Sequence, residues 1–482
     1  MQKKILAAII TIIIIIVASV AVWQFTSPSP STSPSPSPTS TPTSGSTPSP
    51  EARNIKIGLV AGYETAIGQD MDRAAKLAVE EINNAGGVWV SEWNAHVNFT
   101  LVIADTQDDS SGKAVTPVSR AVTDDKVDLL IGGYSSSGTL ADEMVAINNR
   151  VPYIITGASN QLVTRRGPQG NYGGLPVGDA NRVEDAEGMS YVFHYCTTTY
   201  HYSKTVVDFF AQSMKPLLDS TYPSLAGKNL SLAIIYRNDA FGKGVVAASE
   251  YWIQNQNLPI TVVTKVSVEP SETNFNTYLT SIKAANPDAV YVVDNPDRTP
   301  EIVKAGHNVG LNTVFIAVEN NEDPVFYTLI GQSGAGQLLE SKFAPYAQPY
   351  LPLIGTYVTN YQNKYSIVPG MMGADTYDAF YIAKDAIERA GTVDKADVRS
   401  AIETTSMDQM LILTTTGKIQ FSTGVDYHEI SPVTFIEQLV WNSTIGECRP
   451  VVVWVPPNVT GVGATIKQAD FVLPSGYTPG ST

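Results

Sequence analysis

The stretch IKIGLVAGYETAIGQDMDRAAKLAVEEINNAGG, residues 55–87, decides the fold. Its opening run, IKIGLVA (55–61), is short and apolar and reads as a buried strand. GQDMDRAAKLAVEEINNA (68–85) then places apolar residues at helical spacing, and Gly86–Gly87 forms a helix stop. The same unit recurs outward from it. Strands are expected at 97–104, 127–131 and 151–156, with helical stretches between them. The alternation resumes with SLAIIY (231–236), a helix from Phe241, ITVVTKV (260–266), a helix near 276–285, DAVYVV (288–293), a helix near 300–309 and TVFIAV (313–318). Two more helices (374–390 and 394–404) precede strands at 417–421, 433–441 and 450–455. Strand–helix alternation with short apolar strands predicts parallel sheets covered on both faces. Two such runs, parted by an irregular stretch near 160–200, predict an α/β protein of two doubly wound lobes.

Composition narrows the function. The chain has 482 residues and a formal charge of −15; beyond residue 50 it carries 29 basic against 46 acidic groups. A nucleic-acid partner would need a basic stripe to displace counterions, so none is expected. Two cysteines, Cys196 and Cys448, can form neither a disulfide framework nor a four-thiolate metal site, and spacing leaves open whether they pair. At the N-terminus, Lys3 and Lys4 precede about 21 largely apolar residues, enough for a helix across a bilayer core. The expectation is an uncleaved membrane anchor over 1–25 with the following chain outside the cell; a cleaved signal peptide is the alternative. Residues 26–50 are all Ser, Thr, Pro or Gly, with eight prolines, a composition for an extended stalk reaching 53. Four Asn-x-Ser/Thr sequons (Asn98, Asn229, Asn442, Asn458) fit a glycosylated exterior protein.

Ligands of open parallel sheets sit beyond the carboxyl ends of the strands. There the sequence places Ser135, Ser136 and Ser137 in GGYSSSGTLA, Ser159 in GASNQL, Asp294 and Asn295 after DAVYVV, and Glu319 after TVFIAV. One lobe thus offers hydroxyls and free N–H groups at helix starts, which suit an anion; the other offers carboxylates, which suit a cation. Serine, asparagine and glycine also make ordinary turns and caps. Their joint placement at strand ends favours a cleft for a small zwitterion such as an amino acid.

These segments carry a resemblance. IKIGLVAGYETAIGQDMDRAAKLAVEEINNAGG, VDLLIGGYSSSGTLA, VPYIITGASNQLVTRRG, IIYRNDAFGKG, NPDAVYVVDNPDRTPEIVKAGHNVGLNTVFIAVE, TYDAFYIAKDAIERAG and GKIQF, in this order, resemble the type 1 periplasmic binding proteins of the leucine/isoleucine/valine-binding family, capture subunits of ABC importers. The likeness covers about residues 54–465. It implies two lobes joined by a three-segment hinge: residues 54–192 and 344–430 in the first, 193–343 and 431–466 in the second, with a tail at 467–482. It also implies a permease partner, no cofactor and no metal. Ser135 or Ser136 would hold the ligand carboxylate, with Gly157, Ala158 and Ser159 adding contacts, and Glu319 would accept the ammonium. Three positions depart from the family pattern: Asn295–Pro296 replaces a tyrosine, Phe241 replaces another, and Ile67 stands where an aromatic is common.

Tyr200 and Tyr202, near the expected first crossover, are candidates to line the cleft in place of the missing tyrosine. His194, Cys196 and His201 lie close in sequence without the company a metal site needs. The insertion at 168–188 reads as a surface loop, with a lid as the alternative. No nucleophile elbow, zincin motif or phosphate loop is present, and the five histidines show no catalytic spacing, so the chain is not expected to be an enzyme. The alternatives kept open are the ectodomain of a sensory receptor complex and a binding protein for an amide or small carboxylate.

Overall fold

A computed structural model describes residues 53–480 except 347–350, 458 and 460. The expected membrane anchor and nearly all of the stalk lie outside the described residues, as does Asn458. Among the described residues no helix is long and apolar enough to cross a membrane. Asn98, Asn229 and Asn442 are exposed.

The first strand, β1 (Ile55–Ala61), is buried at all positions but Lys56, as expected for a central parallel strand. A small hairpin, β2 (Val88–Val90) and β3 (Ala95–Val97), precedes β4 (Phe99–Asp105). With β5 (Leu129–Gly132), β6 (Tyr153–Ile155) and β7 (Val192–His194), these make a five-stranded parallel sheet in the order β4-β1-β5-β6-β7. The first sheet therefore runs to His194, two residues past the expected lobe boundary.

A second sheet is built from β8 (Leu230–Arg237), β9 (Ile260–Val268), β10 (Ala289–Val293), β11 (Val314–Ala317) and β12 (Leu338–Ser341), all parallel. The expected parallel sheet holds for these five strands, and two antiparallel strands extend it at one edge. After the two-stranded β13 (Met407–Asp408) and β14 (Lys418–Ile419), the chain adds β15 (Phe435–Asn442) antiparallel to β12 and then β16 (Glu447–Trp454) antiparallel to β15. β15 and β16 are joined by four residues, long enough for a hairpin but too short for a parallel crossover, so they pair antiparallel with each other.

The chain passes between the sheets three times: between β7 and the helix Thr199–Phe209, between β12 and the helix Pro352–Tyr365, and between β14 and β15. The long helix Met371–Ala390 lies against Ala66–Asn84 on the first sheet. On the second sheet every residue of β10 is buried, and each Val there contributes on the order of 1.5–3 kcal/mol. Residues 471–480 pack back onto the second sheet: Phe471 joins its core and the Gly480 N–H donates to Asp288 Oδ1 at 2.7 Å. Cys196 and Cys448 are both free and buried.

Candidate functional site

A cleft of about 500 Å³ opens where the two sheets face each other. Except for Met372, its wall is made of residues at or beyond the carboxyl ends of parallel strands. From the first sheet come Thr65, Asp109, the run Tyr134–Ser137, Gly157 and Ser159; from the second come Arg237, Asp239, Phe241, Asn295, Glu319 and Asn320.

The serine turn is shaped by Gly132, whose φ of +124° turns the chain at the end of β5. A Cβ there would stand 2.1 Å from the Val60 carbonyl oxygen. Ser135 caps the helix Ser136–Asn149, its Oγ accepting the Gly138 N–H at 3.3 Å. Ser136 Oγ accepts the Asn160 N–H at 3.2 Å. Each hydroxyl is used as an acceptor, so its own proton remains for an acceptor in the cleft. The Ser135 N–H, by contrast, is taken by Asp109 Oδ2 at 3.2 Å, and burial pushes that carboxyl upward.

The opposite wall is more acidic in sequence than in effect. Glu319 lines the cleft, yet its carboxylate meets Lys342 Nζ at 3.0 Å, and Lys342 also meets Asp375 at 2.7 Å; all three are at most 1% exposed. Burial pulls the Lys342 ammonium toward neutrality, but Asp375 and Glu319 outweigh it and hold the charge. Burial pushes Asp375 well above the carboxylate range and raises Glu319 against the pull of Lys342. Asp375 does not line the cleft, whereas Glu319 does and enters it already partnered by Lys342.

The walls touch. Tyr134 donates its hydroxyl proton to Asn295 Oδ1 at 2.9 Å and accepts from Asn320 Nδ2 at 3.1 Å. Asn160 Nδ2 reaches the Ala240 carbonyl at 2.8 Å, and the Ala240 N–H reaches Ser137 Oγ at 3.4 Å.

Of the residues expected from sequence, Ser135, Ser136, Gly157, Ser159, Tyr202, Phe241, Asn295 and Glu319 meet in this cleft. Three do not line it. Tyr200 and Tyr202 are two positions apart on one helix, so they point to different sides. Tyr202 enters the cleft, whereas Tyr200 packs on Trp252 at 4.6 Å and under Arg165 at 5.2 Å. Ile67 is turned into the first core by the helix it begins, leaving Thr65 at the cleft. Ala158 is fully buried and ties two turns together, its N–H donating to Gly133 and its carbonyl meeting His194 Nε2 at 2.6 Å. Burial, against the opposing pull of that contact, pushes His194 down to about 3. His201 is held by the Thr198 hydroxyl at 2.8 Å. The 168–188 insertion contributes nothing to the cleft wall; Arg182 stacks over its Tyr172 at 3.4 Å at the surface.

Tyr134, Arg237, Asn320 and Asp109 were not singled out in the sequence. Arg237 is the last residue of β8, so the strand-end rule that found Asn295 and Glu319 reaches it as well.

Comparison with known proteins agrees with this geometry. The model of the family described as periplasmic binding protein matches residues 54–438. A Leu/Ile/Val-binding protein homolog of Brucella melitensis is 21% identical over 77% of this chain and 87% of its own length. The leucine-, isoleucine-, valine-, threonine- and alanine-binding protein of Pseudomonas aeruginosa is 22% identical over 77% of this chain and 87% of its own. Among solved structures, a leucine-binding protein from Thermotoga maritima superposes with a TM-score of 0.64 at 20% identity, covering 84% of this chain and 99% of that one. A solute-binding protein from Rhodopseudomonas palustris in complex with 3,4-dihydroxybenzoic acid gives 0.66 at 18% identity, covering 84% and 98%. These are binding proteins, not enzymes. With four fifths of its length matched and two such lobes facing one cleft, the chain belongs to the periplasmic binding protein family, type 1, alongside the Leu/Ile/Val-binding proteins.

Proposed function

We propose that this protein captures a small carboxylate-bearing zwitterion of the amino-acid class outside the cell and delivers it to an ABC importer. One observation carries the reading: serine-rich turns with hydroxyl protons to donate face Glu319 and Asn320 across a single cleft. Ser135, Ser136 and Ser159 take the carboxylate, and Glu319 and Asn320 take the ammonium. Charge-assisted hydrogen bonds of this kind are each worth about 1.5–3 kcal/mol, enough together for micromolar affinity after the cost of closure. The closed form is what a permease recognises, by population shift. Residues 1–25 anchor the protein in the membrane, residues 26–53 hold it away as a stalk, and the exposed sequons accept sugars.

A second reading, an aromatic carboxylate, is favoured by one observation. Tyr134, Tyr202 and Phe241 line the cleft, and Glu319 is already matched by Lys342, as a guest without an amine requires. The Rhodopseudomonas palustris structure named above holds such an acid.

Titration calorimetry with L-leucine, L-threonine and benzoate separates the two. On the first reading an amino acid binds, Ser159→Ala weakens it at least tenfold, and Glu319→Gln costs 1.4 kcal/mol or more, about tenfold. Benzoate binding that Glu319→Gln leaves unchanged selects the second.

A further inference from the structure

Two guanidinium groups reach the second-lobe wall of the cleft, and they are in opposite states. Arg298 is fully engaged. Its Nε meets Asp294 at 3.0 Å, its Nη1 donates to the carbonyls of Pro270 and Glu272, and its Nη2 donates to the Glu269 carbonyl at 3.1 Å. It holds the loop after β9 in place. Arg237 is not so employed. Its Nε lies 2.9 Å from Asp239 Oδ2, and neither Nη group makes a hydrogen bond among the described residues, although the side chain is only 18% exposed. Asp294, whose charge Arg237 also feels, is already held by Arg298.

A mostly buried guanidinium with its fork unpartnered is expensive unless something in the cleft completes it. The fork is planar and its two Nη donors match the two oxygens of a carboxylate. Its position is fixed from behind, because Arg237 ends β8 in register with Val268 of β9 and Asp239 caps the next helix, its Oδ1 accepting the Gly242 N–H at 2.9 Å. The fork and the serine turns belong to opposite walls of one cleft of about 500 Å³, room for a guest that reaches both.

We infer that Arg237 binds a second carboxylate of the guest, so that the cleft selects small dicarboxylates over their monoamide analogues. This deepens the reading above and rests on it in one respect, that the first carboxylate sits on the serine turns. Asp239 then serves as a positioning residue that keeps the fork turned inward from its Nε side.

The test is titration calorimetry on the purified full chain with two matched pairs of probes, L-glutamate against L-glutamine and succinate against succinamate. The expected result is a preference of tenfold or more for the dicarboxylate in each pair that binds. In Arg237→Gln that preference falls below twofold; in Arg237→Lys, which keeps the charge and loses the fork, it is intermediate. Unchanged ligand-free melting temperatures establish that both variants are folded. Equal affinity within a pair in the wild type, or a preference that survives Arg237→Gln, overturns the assignment. If only the monoamides bind and Ser159→Ala weakens them, the serine-turn reading stands and the Arg237 assignment falls. If Ser159→Ala changes the binding of no probe, or no probe binds at all, both fall.

Discussion

At the scale of single residues the decisive group is Lys342, which no motif announces. It sits after the last parallel strand of the second sheet and is fully buried between carboxylates from both halves of the molecule, Glu319 and Asp375. Removing one partner of a buried ionic group leaves the others uncompensated, a loss of about 3–5 kcal/mol. Lys342→Met is therefore expected to lower stability by that amount in urea unfolding, and a loss below about 1 kcal/mol would show that the trio does not hold its charges as described. Glu319 was legible in the sequence because it follows an apolar strand; its partner was not, because a local residue pattern cannot reveal a contact made only when two crossings bring Lys342 and Asp375 together. The same distinction holds across the cleft: Ser135, Ser159 and Asn295 follow strands and were found, whereas the link between Tyr134 and Asn295 spans 161 residues of sequence.

At the scale of elements, periodicity located most of the strands that position the site, since buried parallel strands are short apolar runs bounded by turn residues, but it missed β7, β12 and the helix Thr199–Phe209 that carries Tyr202. It did not reveal the antiparallel addition of β15 and β16 to the second sheet, because the pattern of β15, FIEQLVWN, reads the same whichever way it pairs. Nor did it orient Tyr200 and Ile67, whose faces are set by which side of each helix meets a sheet. The turn after β5 is the most constrained junction. Gly132→Ala brings a methyl group onto the Val60 carbonyl at a positive φ, and is expected to cost about 3 kcal/mol of stability and to displace the serine turn. Thermal unfolding together with calorimetry of whichever probe binds measures both effects; a variant with wild-type stability and affinity would mean that the turn relaxes freely.

At the scale of the whole molecule, the two lobes are held across the cleft by a small set of polar links, chiefly Tyr134 to Asn295 and Asn320 and Asn160 to Ala240. A single hydrogen bond of this kind contributes about 1 kcal/mol, so Tyr134→Phe is expected to shift the population toward the open form and weaken guest binding about fivefold, mostly through faster release. Small-angle scattering of the ligand-free variant should give a larger radius of gyration than the wild type, and an identical radius with identical affinity would remove Tyr134 from the closing mechanism. The two cysteines bear on how such motion can be watched. Cys196 lies under the Ala158 carbonyl and Cys448 against that of Gly331, and burial pushes both thiols upward, Cys448 to about 11. Native sulfur is thus shielded from maleimides by burial, and a single engineered thiol at the exposed rim, such as Ser271→Cys, is expected to carry the dye, turning the protein into an optical reporter of its own guest without any prior deletion of cysteine.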